Sequence, residues 1–330
     1  MKDINQGEAE TFLNECPNSV DSACELAYIE SHFRREKNSQ LILEEFLEKH
    51  SDKLNGVEKA KVYTNLAFYY NDEGNIKEYE YLSVAVKLNS PYLETYRGLA
   101  LYHFSSYADK GSVEELERSL LIYEKGRSIS DNYEMNFGRA VCLFELKEYE
   151  KAKTIFLQLL ENYPNRMRLL LCIAYCDVYL GNKIQSLDYL KTIKIGGNPA
   201  YQRDDEIWEF DIFNAYYVLE EYELFLEECE KAKSSCDLNY GPYYFGLWTM
   251  NQHDQFCLEV DKQRTEILAC IEDVKIDDDF ASEEERQEHL QCWEDDLESL
   301  NILEHKIKYE NYKPIVELKL WPIYDCYLID

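Results

Sequence analysis

The chain has 330 residues and carries 35 Lys and Arg against 65 Asp and Glu, a formal charge of −30. Such an excess of acid argues against sequence-independent binding of DNA, RNA or anionic lipid, which relies on clusters of basic side chains. It favours solubility and complements a basic partner.

Residues 1–58 read as irregular helices. One spans 20–35 with Leu26, Ile29 and Phe33 on a stripe, and another spans 39–53 with Leu43, Phe46 and Leu47, Ser39 being its N-cap. In 59–91, Tyr63, Leu66, Ala67 and Tyr70 line a first helix, Gly74 and Asn75 make a turn, and Ala85 packs a second. In 92–131, Leu99 and Ala100 fall on a first helix and Ser119, Tyr123 and Gly126 on a second.

Residues 132–165 form the clearest unit. Ala140 and Leu143 share one side of its first helix, and Ala152, Phe156 and Leu159 recur at steps of four and three on the second. Pro164 ends that helix, because its ring blocks continuation. Ala140 and Ala174, Ala152 and Ser186, Phe156 and Leu190, and Leu159 and Ile193 are each separated by 34 residues. The small members of this set let paired helices approach to roughly 8–10 Å. A 34-residue period enclosing helix–turn–helix resembles the tetratricopeptide repeat. The resemblance covers residues 59–235 and implies an all-α, right-handed α-solenoid of about six such repeats with helical caps. Against that period the 40-residue step from Ala100 to Ala140 is long, so SSYADKGS (105–112) is expected to be an inserted loop.

Residues 165–193 continue the pattern with Leu170, Ile173, Ala174, a turn at Gly181 and Asn182, then Ser186 and Leu190. The link KIGGNPA (194–200) breaks the rhythm before helices at 203–219 and 222–235, which bulky Phe213 and Phe225 are expected to splay. A further pair is expected at 240–251 and 253–275. Ser282 followed by Glu285 makes a capping box for one long helix over 283–308. The last stretch, NYKPIVELKLWPIYDCYLID, is apolar and broken by Pro314 and Pro322; it is expected to be extended and to fold back on that terminal helix. The organisation expected is an N-terminal cap or degenerate repeat at 1–58, a solenoid at 59–275, and an acidic capping helix with an apolar tail at 276–330.

A hydrophobic content of 45 % suffices for a continuous core, and 12 Gly and 7 Pro leave little room for linkers. The start, MKDINQGEAETF, is unlike a signal peptide, and no run reaches the roughly 18 apolar residues of a membrane span. The eleven cysteines contain no CxxC pair, and Cys142, Cys172 and Cys176 lie on helical stripes as small hydrophobes. A reduced, cytoplasmic chain with free thiols is expected. His253 with Cys257 and His289 with Cys292 have the residue types of a zinc site but not its usual spacing, so packing is the expectation. Asp277–Asp279 lacks the Gly and terminal Glu of a calcium loop. No phosphate-cradling glycine loop and no nucleophile elbow occurs. Neither a catalytic residue nor a cofactor is assigned.

The repeat resemblance further implies a concave wall built from the first helix of each pair. Arg97, Phe104, Phe137, Phe144, Arg168, Tyr175, Tyr179, Phe210 and Tyr217 fall on it, and aromatics with a few Arg are the usual anchors of binding hot spots. Lys61 and Asn65 resemble part of the basic clamp with which some members of the family hold a carboxylate tail. The equivalent later positions are Glu94, Gly98, Glu134 and Gly138, which departs from that clamp. The expected function is a non-catalytic adaptor or regulator that binds a peptide or helix of another protein, without nucleic acid or membrane. The rival is an acidic inhibitor or immunity protein that neutralises a basic or nucleic-acid-binding toxin or enzyme. Residues 271–300, with thirteen acids against Lys275 and Arg286, are its basis.

Overall fold

A computed structural model describes residues 19–33, 36–71, 75–233, 240–277, 280–322 and 327–329. The expected turn residue Gly74 lies outside them. Among the described residues are fifteen α-helices, one short 3-10 helix and no strand, so the all-α expectation holds. The chain falls into two compact units, one of residues 1–164 with 320–330 and one of residues 165–319.

The first unit contains α1 (Val20–His32), α2 (Glu36–His50), α3 (Gly56–Phe68), α4 (Ile76–Lys87), α5 (Leu93–Lys110), α6 (Val113–Ile129), α7 (Tyr133–Glu145) and α8 (Tyr149–Asn162). Side-chain caps start several of them. Ser19 accepts from the Ser22 amide, Asn132 from the Met135 amide, and Asn55 forms a capping box with Glu58. Consecutive helices pair, each second helix packs on the next first helix, and first helices α1, α3 and α5 touch in series. Ala60, Ala67, Ala85, Ala100, Ala140 and Ala152 are fully buried at these crossings, where a longer side chain would hold the helices apart.

Two expectations about this unit are corrected. SSYADKGS is not a loop: its residues 105–110 form the last part of α5, which reaches 18 residues against 13 in the first helices α3 and α7. No breaker occurs before Gly111, whose φ of 68° caps α5. Ser39 is not an N-cap but a buried residue inside α2, donating to the Ala27 carbonyl at 2.7 Å. Ser119 to the Ala100 carbonyl (2.8 Å) and Ser186 to the Ala174 carbonyl (3.0 Å) repeat that bond in later pairs. A buried hydroxyl needs a partner, and this one crosses the two helices of a pair.

The second unit contains α9 (Met167–Tyr179), α10 (Lys183–Leu190), the 3-10 helix (Pro199–Asp205), α11 (Glu209–Val218), α12 (Tyr222–Ala232), α13 (Tyr240–Thr249), α14 (His253–Ile276) and α15 (Glu283–Glu310). Phe213 and Phe225 do not splay their helices. Their rings meet edge to face at 6.0 Å, and Gly246 leaves room for Phe225 from the next helix. The first helix expected at 203–219 begins only at Glu209, because residues 199–205 turn as a 3-10 helix around Asp205. That carboxylate is fully buried and accepts from the amides of Met167 (2.9 Å), Arg168 (2.8 Å) and Asn198 (2.8 Å). Gly197, with φ at 74°, passes so close that any Cβ would overlap the Asp205 carbonyl.

All eight cysteines among the described residues are free thiols. Burial pushes Cys24, Cys142 and Cys172 up to about 12, whereas Cys257 and Cys292 are exposed. A thiol-specific reagent at mildly alkaline pH should therefore label Cys257 and Cys292 in the native protein and spare Cys24, Cys142 and Cys172 until unfolding. Unfolding returns these three from about 12 to their ordinary 9.0. Their contribution to stability is full below pH 9.0 and is lost as pH rises toward about 12. An unfolding midpoint that stays flat across that window would contradict their burial.

Candidate functional site

After Asn311 caps α15 in the left-handed conformation, the chain is extended. Tyr312 still touches Lys306 of α15, but among the described residues the contacts from 313 onward are with the helix pairs rather than, as expected, with α15. In the second unit residues 313–319 lie against first helices α9 and α11. Pro314 and Leu318 are buried, Val316 is half-buried, and Ile315, Glu317 and Lys319 face solvent, the period-two pattern of an extended segment. The Tyr217 hydroxyl donates to the Pro314 carbonyl at 2.7 Å, and the Leu318 amide donates to the Tyr179 hydroxyl at 2.9 Å. Lys313 pairs with Glu220 at 2.7 Å and lies over the rings of Tyr217 and Tyr222. Its ammonium holds the Glu220 carboxyl below the ordinary range, and burial pushes the Tyr217 hydroxyl up.

In the first unit residues 320–322 and 327–329 lie against α3, α5 and α7. The Leu320 amide donates to Glu145 at the end of α7 (2.8 Å), and Trp321 meets Phe104 of α5 at 5.6 Å. Tyr327 is 2 % exposed. Its ring meets Phe68 of α3 edge to face at 5.3 Å, its hydroxyl donates to buried Glu78 of α4 at 2.6 Å, and it lies over Gly98 of α5. A Cβ on Gly98 would stand 2.9 Å from that ring. Two residues on, Asn65 of α3 grips the backbone of Ile329 from both sides. It accepts from the amide at 2.7 Å and donates to the carbonyl at 2.9 Å. Leu328 packs on the apolar cluster of α1, α2 and α3 that includes Leu43, Leu66 and Tyr69.

The nine wall residues thus divide. Phe104, Tyr179 and Tyr217 meet the extended segment. Tyr175 does not serve as an open anchor: it is 3 % exposed, and its hydroxyl donates to the Asp211 carbonyl of α11 at 2.8 Å. Phe137 is buried between Tyr133 and Phe156, and Phe144 is buried against Tyr149, so both hold helices together. Arg97 pairs with Glu134 at 2.6 Å, tying α5 to α7. Arg168 is half-buried, with its amide bound to Asp205. Phe210 stays open at 43 % exposure, stacked on Trp208. The physical reason is common to the buried ones: a first helix has neighbours on both sides, and a wide apolar stripe turns most of its width toward them.

Of the two clamp residues, Lys61 pairs with Asp21 at 2.9 Å, and Asn65 holds a backbone amide rather than a carboxylate. Glu78, Glu145 and the vacancy above Gly98 were missed as site features. Nothing in local periodicity marks a contact with a segment 175 to 249 positions away. His253 and His289 pack on Trp248 and Phe280, and no group of metal-binding side chains gathers among the described residues. The described acids of residues 271–300 face solvent almost throughout, with Glu272 and Glu283 paired to Lys275 and Arg286.

Residues 135–166 match the tetratricopeptide repeat family. Among solved structures, YrrB, a TPR protein with an unusual peptide-binding site, is similar at 13 % identity and a TM-score of 0.47 over 68 % of this chain and all of that one. Yeast Tom70 is similar at 14 % identity and a TM-score of 0.45 over 92 % of this chain and 61 % of that one. A monomeric IFIT1 mutant with Gppp-AAAA is similar at 14 % identity and a TM-score of 0.36, over 94 % and 69 %. No curated protein matches the chain.

Proposed function

We propose that this chain, which carries a tetratricopeptide repeat at residues 135–166, is a non-catalytic protein-interaction module that holds an extended polypeptide segment against its first helices. The observation that carries this reading is the seating of the chain's own C-terminal segment by contacts to its backbone. Asn65, Glu145, Tyr179 and Tyr217 all bond to amides or carbonyls of that segment. Backbone groups are common to every sequence, so these contacts suit extended segments in general, while the alternating pockets beneath them select side chains. The partner is another protein, and the charge of −30 favours a neutral or basic segment.

A full-length chain with Leu318→Ala and Leu320→Ala, which loosen the resident segment at two buried positions, should bind a synthetic peptide of residues 312–330 with one-to-one stoichiometry by calorimetry. The unaltered chain should bind it more weakly, since only the vacated fraction competes. No binding to the loosened, still helical chain would contradict the reading.

A further inference from the structure

We propose that the site in the first unit selects its partner by a tyrosine followed by two aliphatic residues, and that such a segment enters by displacing residues 327–329. The inference rests on the binding-module reading and names its ligand. The Tyr327 position is a formed pocket with three independent requirements. Its floor is Gly98, where a Cβ would stand 2.9–3.1 Å from the ring atoms, so the helix itself yields the space for an aromatic ring. Its wall is Phe68, placed edge to face, the favoured aromatic geometry. Its end is Glu78, 5 % exposed, which accepts from the phenol at 2.6 Å. A phenylalanine would fill the same volume but withdraw one donor from a buried carboxylate, and losing a hydrogen bond to a buried charged group weakens binding. Sites built to bond a hydroxyl reject the analogue lacking it for this reason.

The register is set separately. Asn65 binds both the amide and the carbonyl of residue 329, which in an extended chain puts residues 327 and 329 on the same face. Ile329 is 7 % exposed and Leu328 packs on the cluster of α1 to α3, so both positions after the tyrosine favour aliphatic side chains. Asp21 and Glu25 line the adjoining cleft with Lys61, and Lys61 is already bonded to Asp21. The occupant is thus an extended segment of another protein with the order Tyr-aliphatic-aliphatic. The chain's own segment holds the site at the high effective concentration of a tethered ligand and sets the threshold a partner must exceed.

The test uses the full-length chain with Tyr327→Ala and three labelled peptides of residues 318–330, differing only in Tyr, Phe or Ala at the position of Tyr327. Fluorescence anisotropy should show the Tyr peptide binding about ten-fold or more tightly than the Phe peptide, with the Ala peptide weaker still. The unaltered chain should bind the Tyr peptide less well than the variant. Equal affinity for the three peptides would overturn the tyrosine selection and leave the binding-module reading standing. No binding of any peptide would overturn both. Should Tyr327→Ala lower helicity, Leu320→Ala replaces it, because it loosens the same segment outside the pocket.

Discussion

Replacing Asp205 by Ala is expected to destabilise the second unit by about 3–5 kcal/mol, the range seen when one partner of a buried ionic network is removed. The carboxylate is fully buried, accepts three backbone amides and lies 3.8 Å from the equally buried Arg166 guanidinium. Two of those amides, Met167 and Arg168, belong to the first turn of α9, where helical donors have no partner within the helix. The third, Asn198, fixes the loop that carries the 3-10 helix. Removal takes a negative charge from the positive end of α9 and unpins the loop in one step. Asp205→Asn should cost less, since one amide oxygen can still accept. Urea unfolding followed by hydrogen exchange within α9 measures both, and a loss under about 1 kcal/mol for Asp205→Ala would contradict this role, being that of an ordinary neutral hydrogen bond.

Gly138→Ala sets two effects of opposite sign against each other. Alanine is the better helix former by roughly 0.5–1 kcal/mol, so an exposed glycine in α7 would gain from the change. Gly138 faces the ring of Tyr123 on α6, and a Cβ there would stand 2.3–2.8 Å from three ring atoms. Tyr123 is 2 % exposed and its ring is rigid, so it has nowhere to move. Overpacking of this kind typically costs about 1–3 kcal/mol, which outweighs the helix gain. The variant should unfold at lower urea, and adding Tyr123→Leu should recover part of the loss, a positive coupling in a double-mutant cycle. A Gly138→Ala protein more stable than the parent would show that α6 and α7 are farther apart than described.

Much of the helical framework was legible. Ala140, Ala152, Ala174 and Ser186 recur at a fixed period because close helix crossings tolerate only small residues, and that constraint acts locally on each pair. Gly126 and Gly138 obey the same rule, although their large partners Met135 and Tyr123 had to be seen to explain them. The C-terminal segment was legible in conformation but not in destination. Pro314 and Pro322 forbid a helix, and Val316, Leu318 and Leu320 alternate as an extended chain should. The segment is held by Asn65, Tyr179 and Tyr217, which the repeat resemblance marks for binding, and by Glu78 and Glu145, which nothing in their own helices marks. Tyr175 misled for a related reason: a tyrosine on a first helix looks the same whether its hydroxyl meets a partner or the Asp211 carbonyl. Asp205, set among charged neighbours, reads as surface until the amides it caps are in view.

The amides of Leu318, Leu320 and Ile329 test the central claim, because each donates to a side chain of a different first helix, through Tyr179, Glu145 and Asn65. Residue-resolved hydrogen exchange on the full-length protein should find all three protected well beyond the rates of an unstructured peptide. Asn65→Ala should release Ile329 while leaving Leu318 protected. Exchange of all three at unstructured rates, with the amides of α3 and α7 still protected, would mean that the first helices do not hold an extended segment, and the account would be wrong.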